Sequence, residues 1–175
     1  MDASSKFQDS LPVSSDAVLA MLAERGVRYR LHEHVPLRTV EDAKSVEDAF
    51  IQDGERALRL KNLYLRDKKK RNYLISLEQD RDIDLKSLGA ELGLGNLSFG
   101  SSDRLLQNLG VRPGAVTPLA MINGRGADVT FFMDKALHEA DVVYMHPLVN
   151  DRTVAISCAE FLDFMEWLKV EITWI

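Results

Sequence analysis

The chain has 175 residues, 46% of them hydrophobic, and a formal net charge of −5. That length suits one domain and buries on the order of two-thirds of the surface an unfolded chain exposes. The acidic balance argues against a general nucleic-acid coating protein, so any contact with RNA must come from a local patch. Cys158 is the only cysteine, which excludes an internal disulfide and fits a reducing compartment. It reads as a small buried residue. No apolar run approaches the roughly 18 residues of a membrane span. The opening MDASSKFQDS has no apolar stretch resembling a secretory signal. No membrane association is expected, and the cytoplasm is the expected location.

Residues 1–13 are polar and end in Leu11-Pro12, so they read as a loose entry segment ahead of one domain over 14–175. Ser15 or Asp16 can cap a first helix, whose apolar stripe is Val18, Leu19, Met21 and Leu22, and Gly26 stops it. Residues 27–33 alternate as a strand, which His34-Val35-Pro36 breaks. Thr39 can cap a second helix, with Glu41 and Asp42 suiting its dipole, fading near Phe50. Residues 57–66 and 72–77 read as two strands of a hairpin with a charged tip over 67–71.

Further on, Asp84 can cap a helix to about Leu92, residues 97–99 form a short strand, and Ser101 or Ser102 caps a helix ending near Gly110. Arg112-Pro113-Gly114 is a turn signal, and Pro118 keeps residues 116–122 from being an ordinary central strand. Residues 123–126 read as a turn; 129–133, 142–145 and 153–156 read as strands. Ser157 and Glu160 form a capping box before a helix with a Phe161, Phe164, Met165 and Leu168 stripe. Strands and helices interleave without a βαβ rhythm. The expected fold is a single α+β domain with a mixed, mainly antiparallel sheet.

Three places stand out chemically. Lys61 lies inside the apolar run LRLKNLYL, on a face shared with Leu63 and Leu65, with Asn62 on the other face unless a bulge intervenes. A lysine inside such a strand either snorkels to water or serves a site. Two prolines and two glycines between Gly110 and Pro118 fix a rigid loop, which is either a structural turn or a presenter of backbone groups to a developing oxyanion. His146-Pro147 follows a strand, where a histidine is either structural or a base or binding group. His32 and His34 alternate, but no cysteine or third histidine is near, so no metal and no cofactor are expected. There is no G-x-S-x-G, H-E-x-x-H or CxxC, so a protein nucleophile is not indicated. The basic run Lys68, Lys69, Lys70 and Arg71 reads by itself as a solvated hairpin tip, and as an RNA-backbone contact only if it flanks a site.

An ordered set of segments then becomes recognisable. It comprises Thr39-Val40-Glu41-Asp42-Ala43, Lys61-Asn62-Leu63-Tyr64-Leu65-Arg66-Asp67-Lys68-Lys69, Asp84-Leu85-Lys86-Ser87-Leu88, Leu97-Ser98-Phe99-Gly100-Ser101, the stretch 110–118, and His146-Pro147-Leu148 followed by Ala155-Ile156-Ser157. In this order the chain resembles the YbaK/ProX-type (INS-like) aminoacyl-tRNA editing domains over roughly residues 15–169, nearest the branch that hydrolyses Ala-tRNA(Pro). The resemblance implies a compact mixed sheet, partly barrel-like, surrounded by helices. It implies a deacylase for mischarged tRNA in which water attacks the aminoacyl ester. By the same resemblance Lys61, Gly114 and Pro118 are catalytic, while Asn62, Ala115, Val116, Thr117, His146 and Thr39 shape the substrate pocket. The implied partners are the acceptor end of tRNA(Pro) and prolyl-tRNA synthetase.

Three places depart from the family pattern: His34-Val35-Pro36 replaces His-Pro-Pro, Leu119-Ala120 replaces Phe-Gly, and Tyr144-Met145 replaces Asn-Phe. The last two lie beside the expected pocket. Cys-, Ser- or Thr-charged tRNA therefore stay open as substrates, as does a non-catalytic tRNA- or synthetase-binding module.

Overall fold

The computed structural model describes residues 1–37 and 39–175; Arg38 and the side chains of Val40 and Ala43 lie outside the described residues, so the Thr39 motif is followed through Thr39, Glu41 and Asp42. The helices are α1 (Ser15–Glu24), α2 (Val40–Glu47), α3 (Leu85–Glu91), α4 (Ser102–Leu109), α5 (Met121–Gly124) and α6 (Cys158–Trp167). The strands are β1 (Tyr29–Glu33), β2 (Ala57–Asp67), β3 (Asn72–Glu78), β4 (Leu97–Phe99), β5 (Val129–Met133), β6 (Val142–Met145), β7 (Arg152–Ser157) and β8 (Ile172–Trp174).

Local chemistry sets most boundaries. Ser14, not Ser15 or Asp16, caps α1 by accepting from the Ala17 N–H. Thr39 and Asp42 form a reciprocal capping box at α2, and Asp84 and Ser101 cap α3 and α4. Gly110 ends α4 in the left-handed region at φ 66°, where glycine carries no Cβ penalty. Ser157 accepts from the Glu160 N–H, but Glu160 answers through the Ser157 hydroxyl and the Arg28 backbone rather than closing a full box.

Two further expectations change, and two elements appear that the sequence reading did not foresee. The entry segment contains a 3₁₀ turn, Ser5–Ser10, because Asp151 accepts from both the backbone and the hydroxyl of Ser5. Asn123 and Gly124 are helical, in α5, rather than a turn, since Pro118–Ala120 starts a 3₁₀ turn that runs straight into it. Another 3₁₀ turn, Lys135–Glu139, and the strand β8 carry no clear periodicity and were not foreseen; β8 exists because β5 offers it a parallel edge.

The sheet order is β1-β7-β6-β2-β3-β5-β8, with β4 also on β2. Pairings β1/β7, β2/β3, β2/β4 and β6/β7 are antiparallel; β2/β6, β3/β5 and β5/β8 are parallel. The α+β class with a mixed sheet is therefore as expected. Strand β3 is buried on both faces. Leu74 faces the main core with Phe131, Phe161 and Phe164, while Tyr73, Ile75 and Leu77 face a smaller cluster with Leu65 and Leu88. Each fully buried side chain of this kind stabilises the fold by about 1.5–3 kcal/mol. A rigid central pair, β2 and β3, results, and the candidate site is built on it.

Candidate active site

Strand β2 is long enough to serve two neighbours on one edge. Residues 57–59 pair with β6, residues 65–67 pair with β4, and β3 occupies the opposite edge over residues 60–66. Between β6 and β4 that edge has no strand partner among the described residues. A cavity of about 300 Å³ lies there, lined by the consecutive residues Leu60, Lys61, Asn62 and Leu63. Consecutive lining residues mean that the cavity meets the strand at its edge. Lys61 and Asn62 thus share the cavity without a bulge, in regular register with Leu77 and Ser76. Other walls come from Leu37 and Thr39 before α2, Glu47 at its end, Gln79 after β3, Gly114 and Val116 of the loop, and Tyr144, Met145 and His146 closing β6.

The polar groups are held from behind. Lys61 Nζ donates to the Arg81 carbonyl at 2.6 Å, which fixes an otherwise flexible amine. Asn62 Oδ1 accepts from the Ser76 hydroxyl at 2.7 Å across the ladder. His146 Nδ1 lies 2.9 Å from the Arg152 carbonyl. A carbonyl only accepts, so this contact places the proton on Nδ1 and leaves Nε2 an acceptor. Burial pushes the His146 imidazole below its ordinary range, outweighing the hydrogen bond to Arg152, so the ring is neutral at pH 7. Tyr144 is also restrained: its hydroxyl donates to Glu55 and receives Arg30, and burial first and Glu55 second push it up to about 12.

Gly114 sits at φ 93°, a conformation that favours glycine, and a Cβ there would come within 3.3 Å of Asn150 Nδ2. The Asn150 side-chain amide in turn donates to the Leu37 carbonyl at 3.0 Å, while the Asn150 backbone carbonyl accepts from the Leu37 N–H. One buried asparagine thus bonds to the segment entering α2 and packs close beneath Gly114 of the loop.

The structure gathers Lys61, Asn62, Gly114, Val116, His146 and Thr39 around this cavity. It does not gather Ala115, Thr117 and Pro118, which are buried behind the loop; Thr117 Oγ1 accepts from the Leu119 N–H. Lys68, Lys69 and Arg71 line a different, shallow depression at the hairpin tip, and Lys70 is exposed beside them. Lys68 lies seven residue steps along extended β2 and its turn from Lys61, roughly 20 Å. The tip therefore does not border the cavity. Histidines 32 and 34 have other partners: His32 stacks on Phe50 at 4.1 Å, and His34 Nε2 meets Thr153 Oγ1 at 2.9 Å.

Among the lining residues that escaped the sequence reading, two carry buried polar side chains, Glu47 and Gln79. Glu47 is 7% exposed and Gln79 3%, yet Glu47 Oε2 and Gln79 Oε1 have no hydrogen-bond partner among the described residues. Burial holds the Glu47 carboxyl up at about 7, against the pull of Arg59. A charged residue at the end of a polar helix ordinarily signals a solvated face, so nothing local marked it.

The fold and cavity define a mixed-sheet α+β protein with an anchored lysine, a glycine loop and a neutral histidine around one small pocket. The aminoacyl-tRNA editing domain model matches residues 34–164. The Prolyl-tRNA editing protein ProX of Acetoanaerobium sticklandii is 38% identical over 145 residues, covering 82% of this chain and 85% of that protein. A mouse protein, Prolyl-tRNA synthetase associated domain-containing protein 1, is 37% identical over 150 residues, covering 83% and 85%. A crystal structure titled as a candidate trans-editing enzyme for prolyl tRNA synthetase superposes with a TM-score of 0.62 at 17% identity, covering 91% and 94%; it shares the fold. The chain belongs to the aminoacyl-tRNA editing domain family.

Proposed function

We propose that this protein is a trans-editing hydrolase that deacylates mischarged tRNA, with Ala-tRNA(Pro) its main substrate, by attack of water on the aminoacyl ester. One observation carries this reading: in a member of the editing-domain family, Lys61, Gly114 and His146, distant in sequence, line one small cavity. The names of the relatives support the prolyl-tRNA system.

The terminal adenosine and its ester enter beside the open edge of β2. The Lys61 ammonium, tethered at Arg81, offsets negative charge on the tRNA end or on the developing oxyanion. A backbone group at Gly114 orients the water, and the ribose hydroxyl next to the ester assists. Asn62, Val116, Thr39 and His146 shape the walls, with His146 Nε2 as an acceptor. Ala115, Thr117 and Pro118 act by holding the loop rigid. An ester is already reactive, so fixed dipoles and a placed water suffice, and no metal or cofactor is called on. Selection against proline is steric, the second sieve of a double-sieve editor. Lys68, Lys69, Lys70 and Arg71 contact the tRNA backbone away from the acceptor end, and prolyl-tRNA synthetase is the partner that brings the substrate. The cytoplasm is the proposed location.

Purified protein incubated with tRNA(Pro) carrying alanine, cysteine, serine or proline, and with Thr-tRNA, tests this. The alanyl ester should be lost fastest and the prolyl ester no faster than in buffer. No acceleration with any substrate would overturn the hydrolase and favour a binding module; fastest loss of the cysteinyl, seryl or threonyl ester would reassign the substrate.

A further inference from the structure

Proteins rarely keep buried acceptors without donors, because each such group loses its water and gains nothing in return. This cavity has two. Glu47 Oε2 and Gln79 Oε1 are both unpartnered among the described residues, both side chains are more than nine-tenths buried, and both line the same wall-to-wall space as Lys61. Among the described residues, the cations nearest them have other partners. The Lys61 amine gives one of its three N–H donors to the Arg81 carbonyl and bonds to neither acceptor, and Arg59, whose field Glu47 feels, is held by Asp48 at 2.5 Å. Two vacant acceptors, one of them a carboxylate, fit a ligand group with several N–H donors and a positive charge.

We propose that Glu47 and Gln79 form the receptor for the α-ammonium group of the aminoacyl ester. This rests on the proposed deacylase function and deepens it. An aminoacyl-tRNA differs from other acyl esters in carrying an ammonium one carbon from the carbonyl. Grasping it fixes the carbonyl relative to Gly114, and the charge of Glu47 complements it where a neutral donor such as a side-chain hydroxyl would leave the carboxylate uncompensated. Lys61 then keeps to the oxygen side of the ester and Glu47 to the nitrogen side.

The test compares alanyl-tRNA(Pro) with lactyl-tRNA(Pro), in which a hydroxyl replaces the amine. The wild-type protein should cleave the alanyl ester about tenfold or more faster in kcat/KM. Glu47→Gln, which keeps shape and removes charge, should bring the two substrates within about threefold by slowing only the alanyl one. Gln79→Met should do the same more weakly. Equal losses on both esters, no loss on either, or loss confined to seryl-tRNA would overturn the assignment. Binding of L-alaninamide and L-lactamide, followed by NMR shifts, gives a readout without hydrolysis. Alaninamide binding that is lost in Glu47→Gln supports the receptor even if no ester is cleaved, in which case the deacylase reading alone falls. Equal binding of the two amides by the wild-type protein would overturn the receptor.

Discussion

Two buried carboxylates, one near each end of β2, behave in opposite ways. Asp67, at the hairpin end, is 8% exposed, and Glu47, against the cavity end, is 7%. Burial pushes both upward. At Asp67 the Arg71 N–H, the Arg71 guanidinium and the Tyr73 hydroxyl outweigh it, and the group lies below the ordinary carboxylate range. Glu47 Oε2 has no donor among the described residues, and the group stands at about 7. The difference lies in the supply of donors, which Asp67 has in plenty, and in the heavier desolvation of the Glu47 carboxyl. A satisfied carboxylate pins a turn; an unsatisfied one beside a cavity stores binding capacity at a cost in stability.

The largest expected effect is at the cavity. Lys61→Ala should lower kcat/KM for alanyl-tRNA by about 100-fold or more while the far-UV spectrum and melting temperature stay near wild type. Unchanged activity would remove Lys61 from the mechanism and make the cavity end as structural as the hairpin end.

Next is the linkage at Glu47. Its folded pKa is raised, so its contribution favours folding most below the unfolded value near 4.5 and is lost as pH rises through about 7. Above pH 7 the ionised group costs about 3 kcal/mol. Arg59 moderates this cost and Asp48 adds to it. Glu47→Gln should therefore be more stable than wild type in urea at pH 8 and lose that advantage toward pH 4. A difference independent of pH would show that Glu47 has donors after all.

Asp67→Ala should have the reverse character. Its folded pKa is lowered, so its contribution is present above the unfolded value and fades as pH falls through the folded one. The variant should melt earlier at pH 7, approach wild type at low pH, and retain its activity per folded molecule. A selective loss of activity would tie the hairpin end to the site.

The smallest effect belongs to the exposed tip. Replacing Lys68, Lys69 and Lys70 by Gln should weaken tRNA binding by about tenfold at low salt and flatten its salt dependence by up to ~2–3 in slope, with no change toward a minimal aminoacyl-adenosine substrate. An equal loss on the minimal substrate would place the tip at the cavity.

Much of this protein was legible along the chain. Caps at Thr39, Asp84, Ser101 and Ser157, the stop at Gly110, the hairpin and the interruption at Pro118 all follow from interactions between residues a few positions apart. Lys61 and Gly114 were visible because each is unusual locally: a charge inside an apolar strand, and a glycine in a proline-bracketed turn. Alternation alone put Asn62 on the wrong side of the question, since it describes faces and the cavity opens on an edge. Only tertiary structure decided that β6 and β4 leave part of one edge of β2 open, that Asn150 bonds to Leu37 beneath Gly114, and that Glu47 and Gln79 line that space with acceptors that have no donor among the described residues. Local sequence sets which elements form, because caps, turns and periodicity act over one turn or one strand. Which strand edge stays open, and which polar group loses its water, depends on contacts between residues far apart in the chain, and no local pattern encodes them.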